Sequence, residues 1–449
     1  MKTNPVSWRS PAAHRLWWIL LAGVVPFVSA CRPATATDSV AADPRPYTVY
    51  VADGFLGEVF VPVDPATLAD RPDGRPLAAP LVSADGAIGV DTEMTAGWGS
   101  ADPETIWIIV YDLTDGTERA RFHPPAAGLV TGLSADGSRL LLQPFPPPHL
   151  TYPPPVDYYA LDAADGAVVG HVRDAEGACY RQYALFDPAG AGLYCMVDPA
   201  LRNGAGENSV LDLSQLCIAY YPINRSRAVP ADDTAPTEPA AGRAVCATVE
   251  TEFLPRNSVS VGDVLIGQRG VRGQVELIEP AVALSPDGHT LAVVDAEKDA
   301  VTLIDAATLT VEAEFFLQNS ASAGTVYAKG FAGGTLRQAV FSADSRYLYV
   351  YTHELKMTGD EPPSAERGLW VVDLARRQVA GRALPDYQIQ WVLPAPDGSV
   401  YAFGATTADL GPYEIRDDSP SMLWRLDGRT LVVLAARSFT GYRGGRLGR

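Results

Sequence analysis

From Tyr47 onward the hydrophobic and polar positions come in short bursts. Brief runs of Val, Ile, Leu, Tyr, Phe and Trp are broken by Asp-Gly, Pro and Gly, and no long segment keeps a helical period. The pattern predicts β-structure across 47–449. Residues 280–316 show the unit most clearly. Ala281–Leu284 reads as a strand, Ser285-Pro286-Asp287-Gly288 as a tight turn, Leu291–Asp295 as a second strand and Ala300–Asp305 as a third. Ala306-Ala307-Thr308-Leu309 turns the chain again, and Val311–Phe316 is a fourth strand.

The unit repeats. Its first turn returns as Leu133-Ser134-Ala135-Asp136-Gly137, Leu284-Ser285-Pro286-Asp287-Gly288, Phe341-Ser342-Ala343-Asp344-Ser345 and Pro394-Ala395-Pro396-Asp397-Gly398, each before an apolar strand. The third strand with its turn recurs at Val59–Thr67, Ile106–Gly116, Tyr158–Gly166, Cys217–Arg225, Val301–Leu309, Leu369–Arg377 and Leu423–Thr430. Most copies carry an aspartate after the strand (Asp112, Asp162, Asp305, Asp373), suited to cap the hairpin by accepting backbone N–H groups. Four antiparallel strands in about 40 residues make one propeller blade. The expected fold is all-β, a seven-bladed β-propeller of four-stranded antiparallel blades. Eight blades is the alternative, if Ser258–Ile278 adds a hairpin. Thr48–Ala52 reads as the second strand of its blade, so the first strand must come from 439–447. That closes the ring and removes open sheet edges.

The phrases Leu-Ser-Pro-Asp-Gly (284–288), Leu-Ala-Val-Val-Asp (291–295) and Val-Thr-Leu-Ile-Asp-Ala-Ala-Thr-Leu (301–309) resemble the YVTN and WD-like repeats of bacterial β-propellers. Lactonase-like proteins and the heavy chain of amine dehydrogenases share them. The resemblance spans nearly all of 47–440 and implies the fold; one propeller hosts enzymes, binding modules and scaffolds alike. The catalytic residues of those enzymes find no matching positions here.

The N-terminus reads as an export signal over residues 1–30. Lys2, Arg9 and Arg15 form a basic region, and Leu16–Ala30 is an apolar stretch shorter than the roughly 20 residues that span a bilayer. Val28-Ser29-Ala30-Cys31 is similar to a bacterial lipobox, which makes Cys31 the lipidated first residue of the mature chain. Plain secretion is the alternative. Residues 31–46, small, polar and proline-bearing, form a tether, and 47–449 is the propeller, with insertions near 198–215, 225–279, 353–367 and 405–420. The expected address is the extracytoplasmic face of a bacterial membrane. Four further cysteines, Cys179, Cys195, Cys217 and Cys246, are an even set in an exported chain. They favour disulfides, with Cys179–Cys195 and Cys217–Cys246 preferred, over a zinc site whose close spacings are missing.

The net charge of −18 argues against a nucleic-acid partner. The histidines beyond the signal (His123, His149, His171, His289, His353) are scattered without metal-ligand spacing, and no hydrolase, zincin or phosphate-loop motif occurs. No catalytic residue, metal or cofactor is therefore expected. In a propeller the connections between second and third strands, and between blades, share one face. Here they are long, and they hold the binding-rim candidates Trp98, His149, Tyr152, Glu354, Tyr413 and Arg416. The innermost strands hold the channel-lining candidates Gln182, Arg337, Gln338, Gln390 and Trp391. The expected role is a monomeric, non-catalytic docking module for a protein, peptide or envelope glycan. The alternative is a lactonase-like or quinoprotein-type enzyme using the channel. A third reading is a scaffold within a membrane complex.

Overall fold

The expected strands are present in a computed structural model of the protein. It describes residues 47–52, 60–71, 81–84, 86–96, 101–145, 156–174, 184–197, 213–223, 257–271, 274–296, 298–317, 333–356, 368–406, 421–439 and 445–448. β1 (Thr48–Ala52) and β2 (Phe60–Val63) come first. Three sets of four follow: β3–β6 (Leu81–Val82, Ile88–Met94, Ile106–Asp112, Thr117–Phe122), β7–β10 (Gly128–Leu133, Arg139–Pro144, Val156–Asp162, Val168–Asp174) and β11–β14 (Leu185–Phe186, Gly192–Val197, Leu213–Pro222, Asn257–Val271). β15 (Gln274–Glu279) precedes β16–β19 (Ala281–Leu284, Thr290–Val294, Ala300–Asp305, Thr310–Phe316). Then come β20–β23 (Gly333–Phe341, Tyr347–Lys356, Leu369–Asp373, Gln378–Ala383), β24–β27 (Tyr387–Pro394, Ser399–Thr406, Ser421–Asp427, Val433–Phe439) and β28 (Gly445–Gly448).

Every set of four is an antiparallel meander paired in chain order, and the described strands form six sheets. One sheet has nine strands, because β15 pairs antiparallel with β14 and parallel with β20, sewing β11–β14 to β20–β23. The hairpin expected at Ser258–Ile278 exists, and its first strand, β14, is also the fourth strand of the β11–β14 meander. Closure is also present: β28 pairs antiparallel with β1, Gly448 opposite Thr48 and Gly445 opposite Val51.

The middle strands are apolar throughout because both of their faces are buried. Leu140 and Leu142 pack with Val90 and Ile108 of the preceding set, while Leu141 between them packs with Phe186 and Leu193 of the next. Leu291 and Val293 likewise turn toward Leu185 and Ile218, and Ala292 and Val294 toward Phe341 and Trp370. The succession runs on through Ile389 against Tyr349 and Val49 against Trp391, then returns to the start where Tyr50 and Phe60 meet Leu113. Sheets stacked face to face around a ring, each four-stranded and antiparallel, are the blades of an all-β propeller.

The serine turns show why the phrase repeats. Ser285 Oγ donates to Asp287 Oδ1 (2.6 Å) and accepts from the Thr290 N–H (2.8 Å), holding the turn and the next strand together. Ser134 and Ser342 do the same with Asp136 and Arg139 N–H, and with Asp344 and Tyr347 N–H. Ser83 repeats the acceptance from the Ile88 N–H (2.9 Å), marking a copy that the alignment of phrases passed over. Gly137 closes its turn at φ +70°, and a Cβ there would lie 2.6 Å from Ile88 Cγ1, so both backbone and space require glycine.

Candidate binding face

Antiparallel meanders sort their connections by end. Turns between first and second strands, and between third and fourth, share one face; the remaining connections share the other. Among the described residues the turns of the first face are short and satisfied by their own groups; the long β13–β14 connection also belongs to this face, and its residues 224–256 lie outside the described ones. The aspartates at the third-strand ends accept backbone N–H groups, as Asp64 does from Thr67 (2.7 Å), Asp305 from Thr308 (2.7 Å) and Asp427 from Thr430 (2.7 Å). The hydroxyls of the same threonines donate as well, and hydroxyl and backbone bonds together hold each of the three carboxyls below the usual range. Three second-strand tyrosines lock adjacent blades on this face. Tyr194 donates to the Ala306 carbonyl (3.1 Å), Tyr349 to Gly428 (2.9 Å) and Tyr401 to Pro65 (2.8 Å). Burial pushes all three hydroxyl pKa values up, so they stay protonated and donate.

The opposite face carries a different chemistry at the corner of β3–β6. Asp102 accepts from the Glu104 N–H (3.0 Å) and starts a 3-10 turn, Pro103–Thr105, which delivers the chain into β5. Trp107 on β5 and His123, just after β6, lie with ring centroids 3.6 Å apart. His123 Nδ1 donates to the Ile106 carbonyl (2.8 Å), and its Nε2 sits 3.8 Å from Glu104 Oε2. The Arg121 guanidinium lies 5.8 Å from the Trp107 centroid and bonds Glu93 and Glu118 (3.1 Å each). These carboxylates are exposed, so the ion pairs are weak and exchangeable for a partner's groups. A half-buried tryptophan beside an exchangeable arginine is the combination enriched at the centres of protein interfaces. Nearby, burial pushes the Asp91 carboxyl up to about 6.

Of the channel candidates, Arg337 and Gln338 lie on β20 and Gln390 and Trp391 on β24, the innermost strands of their sets. Arg337 on β20 is fully buried, ion-paired with Asp299 and bonded to Thr352. Asp299 lies in the β17–β18 connection, so this pair bridges two blades. Trp391 is buried among Val49, Leu393 and Tyr401, and Gln338 is half-buried. Gln390 sits at a bulge between Ile389 and Trp391, buried, with no hydrogen-bond partner for Oε1. Gln182 lies outside the described residues, as do Trp98, His149, Tyr152, Tyr413, Arg416, Cys31, Cys179 and Cys246. Glu354 belongs to β21. Cys195 and Cys217 are buried on neighbouring strands β12 and β13, two residues out of register. Among the described residues no group of three His, Cys, Asp or Glu is arranged to hold a metal ion.

The sequence reading passed over Trp107, Arg121 and Asp299. Trp107 looked like one more strand residue, and only the pairing of β5 with β6 brings His123 beside it. The available signal was that tryptophan at the head of a strand following the 95–104 connection.

Neither a protein-family model nor any curated protein matches the sequence. Solved structures do. The chain is similar to the periplasmic gluconolactonase PpgL of Pseudomonas aeruginosa, at 14% identity and a TM-score of 0.48, covering 90% of this chain and 99% of that one. It is similar to BamB of Moraxella catarrhalis, at 14% identity and a TM-score of 0.35, over 80% and 75%. It is also similar to the β-propeller domain of Myceliophteria thermophila Cps50 (Swd1), at 12% identity and a TM-score of 0.38, over 80% and 84%. Likeness at this level concerns the fold and does not choose among functions.

Proposed function

We propose that the protein is a lipid-anchored, extracytoplasmic β-propeller of seven blades that acts as a non-catalytic docking module for a protein, peptide or envelope glycan. The count of seven is supported by reading the nine-stranded sheet as two blades joined by β15, and by the cyclic order in which the core clusters link successive sets. The docking reading is carried by the Trp107–His123–Arg121 corner, an aromatic and cationic patch on the long-connection face. The address rests on the signal and lipobox-like residues 1–31. In the same oxidising setting, Cys195 and Cys217 pair with Cys179 and Cys246 respectively.

The test is capture by the domain 47–449, kept oxidised, from detergent-solubilised envelope of its own cells. A stoichiometric partner lost in Trp107→Ala/Arg121→Ala, and weakened when 353–367 or 405–420 is shortened, supports docking. A partner indifferent to all three changes removes the reading. The second reading, a channel enzyme, draws on the partnerless buried Gln390 Oε1 on an innermost strand. Turnover of a lactone, ester or amine that is abolished by Gln390→Leu would favour it.

A further inference from the structure

The point where the tether joins the fold determines which face looks away from the membrane. Tyr47 directly precedes β1, and its hydroxyl donates to Asp397 Oδ2 (2.8 Å) while lying 3.2 Å from Ser399 Oγ. Asp397 belongs to the first-to-second-strand turn of the β24–β27 blade, so Tyr47 stands on the short-turn face. β1 leads away from that face, since Thr48 pairs with Gly448 and Val63 pairs with Val49 beside the Asp64 turn. The connection sits close to the ring axis, one strand out from the innermost β28.

We infer that the short-turn face is the membrane-proximal one, and that the long-connection face, with Trp107, Arg121 and His123, is turned away from the bilayer toward the docking partner. The inference rests on anchoring through Cys31. The 15 residues 32–46 reach at most about 50 Å when fully extended and about 20 Å as a flexible coil. Turning the ring over would carry the tether outward past the outer strands and across the blade height of about 20 Å, consuming most of that reach.

His289 and Lys298 report the orientation, because they flank the same strand, β17, at opposite ends and both are exposed. The full-length lipoprotein is reconstituted into phosphatidylethanolamine–phosphatidylglycerol vesicles carrying an acceptor dye on the lipid headgroup. A donor dye is placed on the single free thiol of His289→Cys or Lys298→Cys. Transfer is expected to be about twofold higher or more from position 289, given the height difference of about 20 Å. Equal transfer, or more from 298, overturns the orientation while leaving anchoring intact. Flotation with the vesicles is measured in parallel. If Cys31→Ser floats as well as the wild type, the anchoring reading fails and the orientation falls with it.

Discussion

Tyr401 donates its hydroxyl to the carbonyl of Pro65, 336 residues away in the chain, at 2.8 Å. The same hydroxyl lies 2.9 Å from that of Tyr47. The last full blade is thereby tied to the first at the level of side chains, beside the β1–β28 pairing that ties them by backbone. Tyr401→Phe keeps the ring and its packing but leaves the Pro65 carbonyl without this donor. A loss of about 1–2 kcal/mol is expected, read as a lower urea midpoint with an unchanged slope.

Arg337 and Asp299 tie β20 to the connection before β18. Both are buried, so removing one charge strands the other. Arg337→Met should destabilise by about 3–5 kcal/mol, whereas Arg337→Met with Asp299→Asn should recover much of that loss. Recovery in the double variant, measured by chemical denaturation, separates an ion-pair effect from simple loss of volume.

Asp91 titrates against stability. Burial raises its pKa from 3.8 to about 6, so the folded state holds the proton more tightly than the unfolded chain. Its stabilising effect is complete below about pH 4 and lost as pH rises through 6. Asp91→Asn should therefore gain on the order of 2 kcal/mol above pH 6 and nothing below pH 4. Asp112 has the opposite sign. Hydrogen bonds from Thr114 and Arg119 lower its pKa to about 2, so its contribution is present above about pH 4 and lost as pH falls toward 2. A pH series of thermal midpoints for the two Asn variants checks both directions.

The serine turns predict a uniform local cost. Ser285→Ala removes the acceptor for the Thr290 N–H and the donor to Asp287 in a fully buried setting. About 1–2 kcal/mol is expected, with a similar loss for Ser134→Ala; the exposed His289→Ala should change stability little.

The Trp107 corner predicts a binding loss without a folding loss. Trp107 is half-buried at the start of β5, and its neighbour Arg121 is held by exposed carboxylates. Arg121→Ala should leave the thermal midpoint within about 1 °C yet reduce partner affinity about tenfold or more, measured by interferometry with the captured partner.

What could be read before folding, and what could not, divides by range. The blade unit at 280–316, the serine turns, the capping aspartates and the third strands are local patterns. A turn that satisfies its own N–H groups within five residues, or a strand buried on both faces, writes its requirement directly into adjacent letters. Even the closing strand was legible, because Thr48–Ala52 lacked an inner neighbour and only the far end of the chain remained to supply one. The long β14, which crosses a stretch read as an insertion, was not, since its register is set by β13 and by β15 reaching across to β20. Nor was the pairing of Arg337 with Asp299, or of Trp107 with His123. Those contacts depend on which strand ends meet across a sheet or between blades, and residues 16 or 38 positions apart leave no common pattern in the sequence. The sequence determined that this chain makes blades and closes them into a ring. Only the tertiary structure decided which polar groups are buried between blades and on which face Tyr47 leads into β1, because both follow from how the closed ring stacks its sheets.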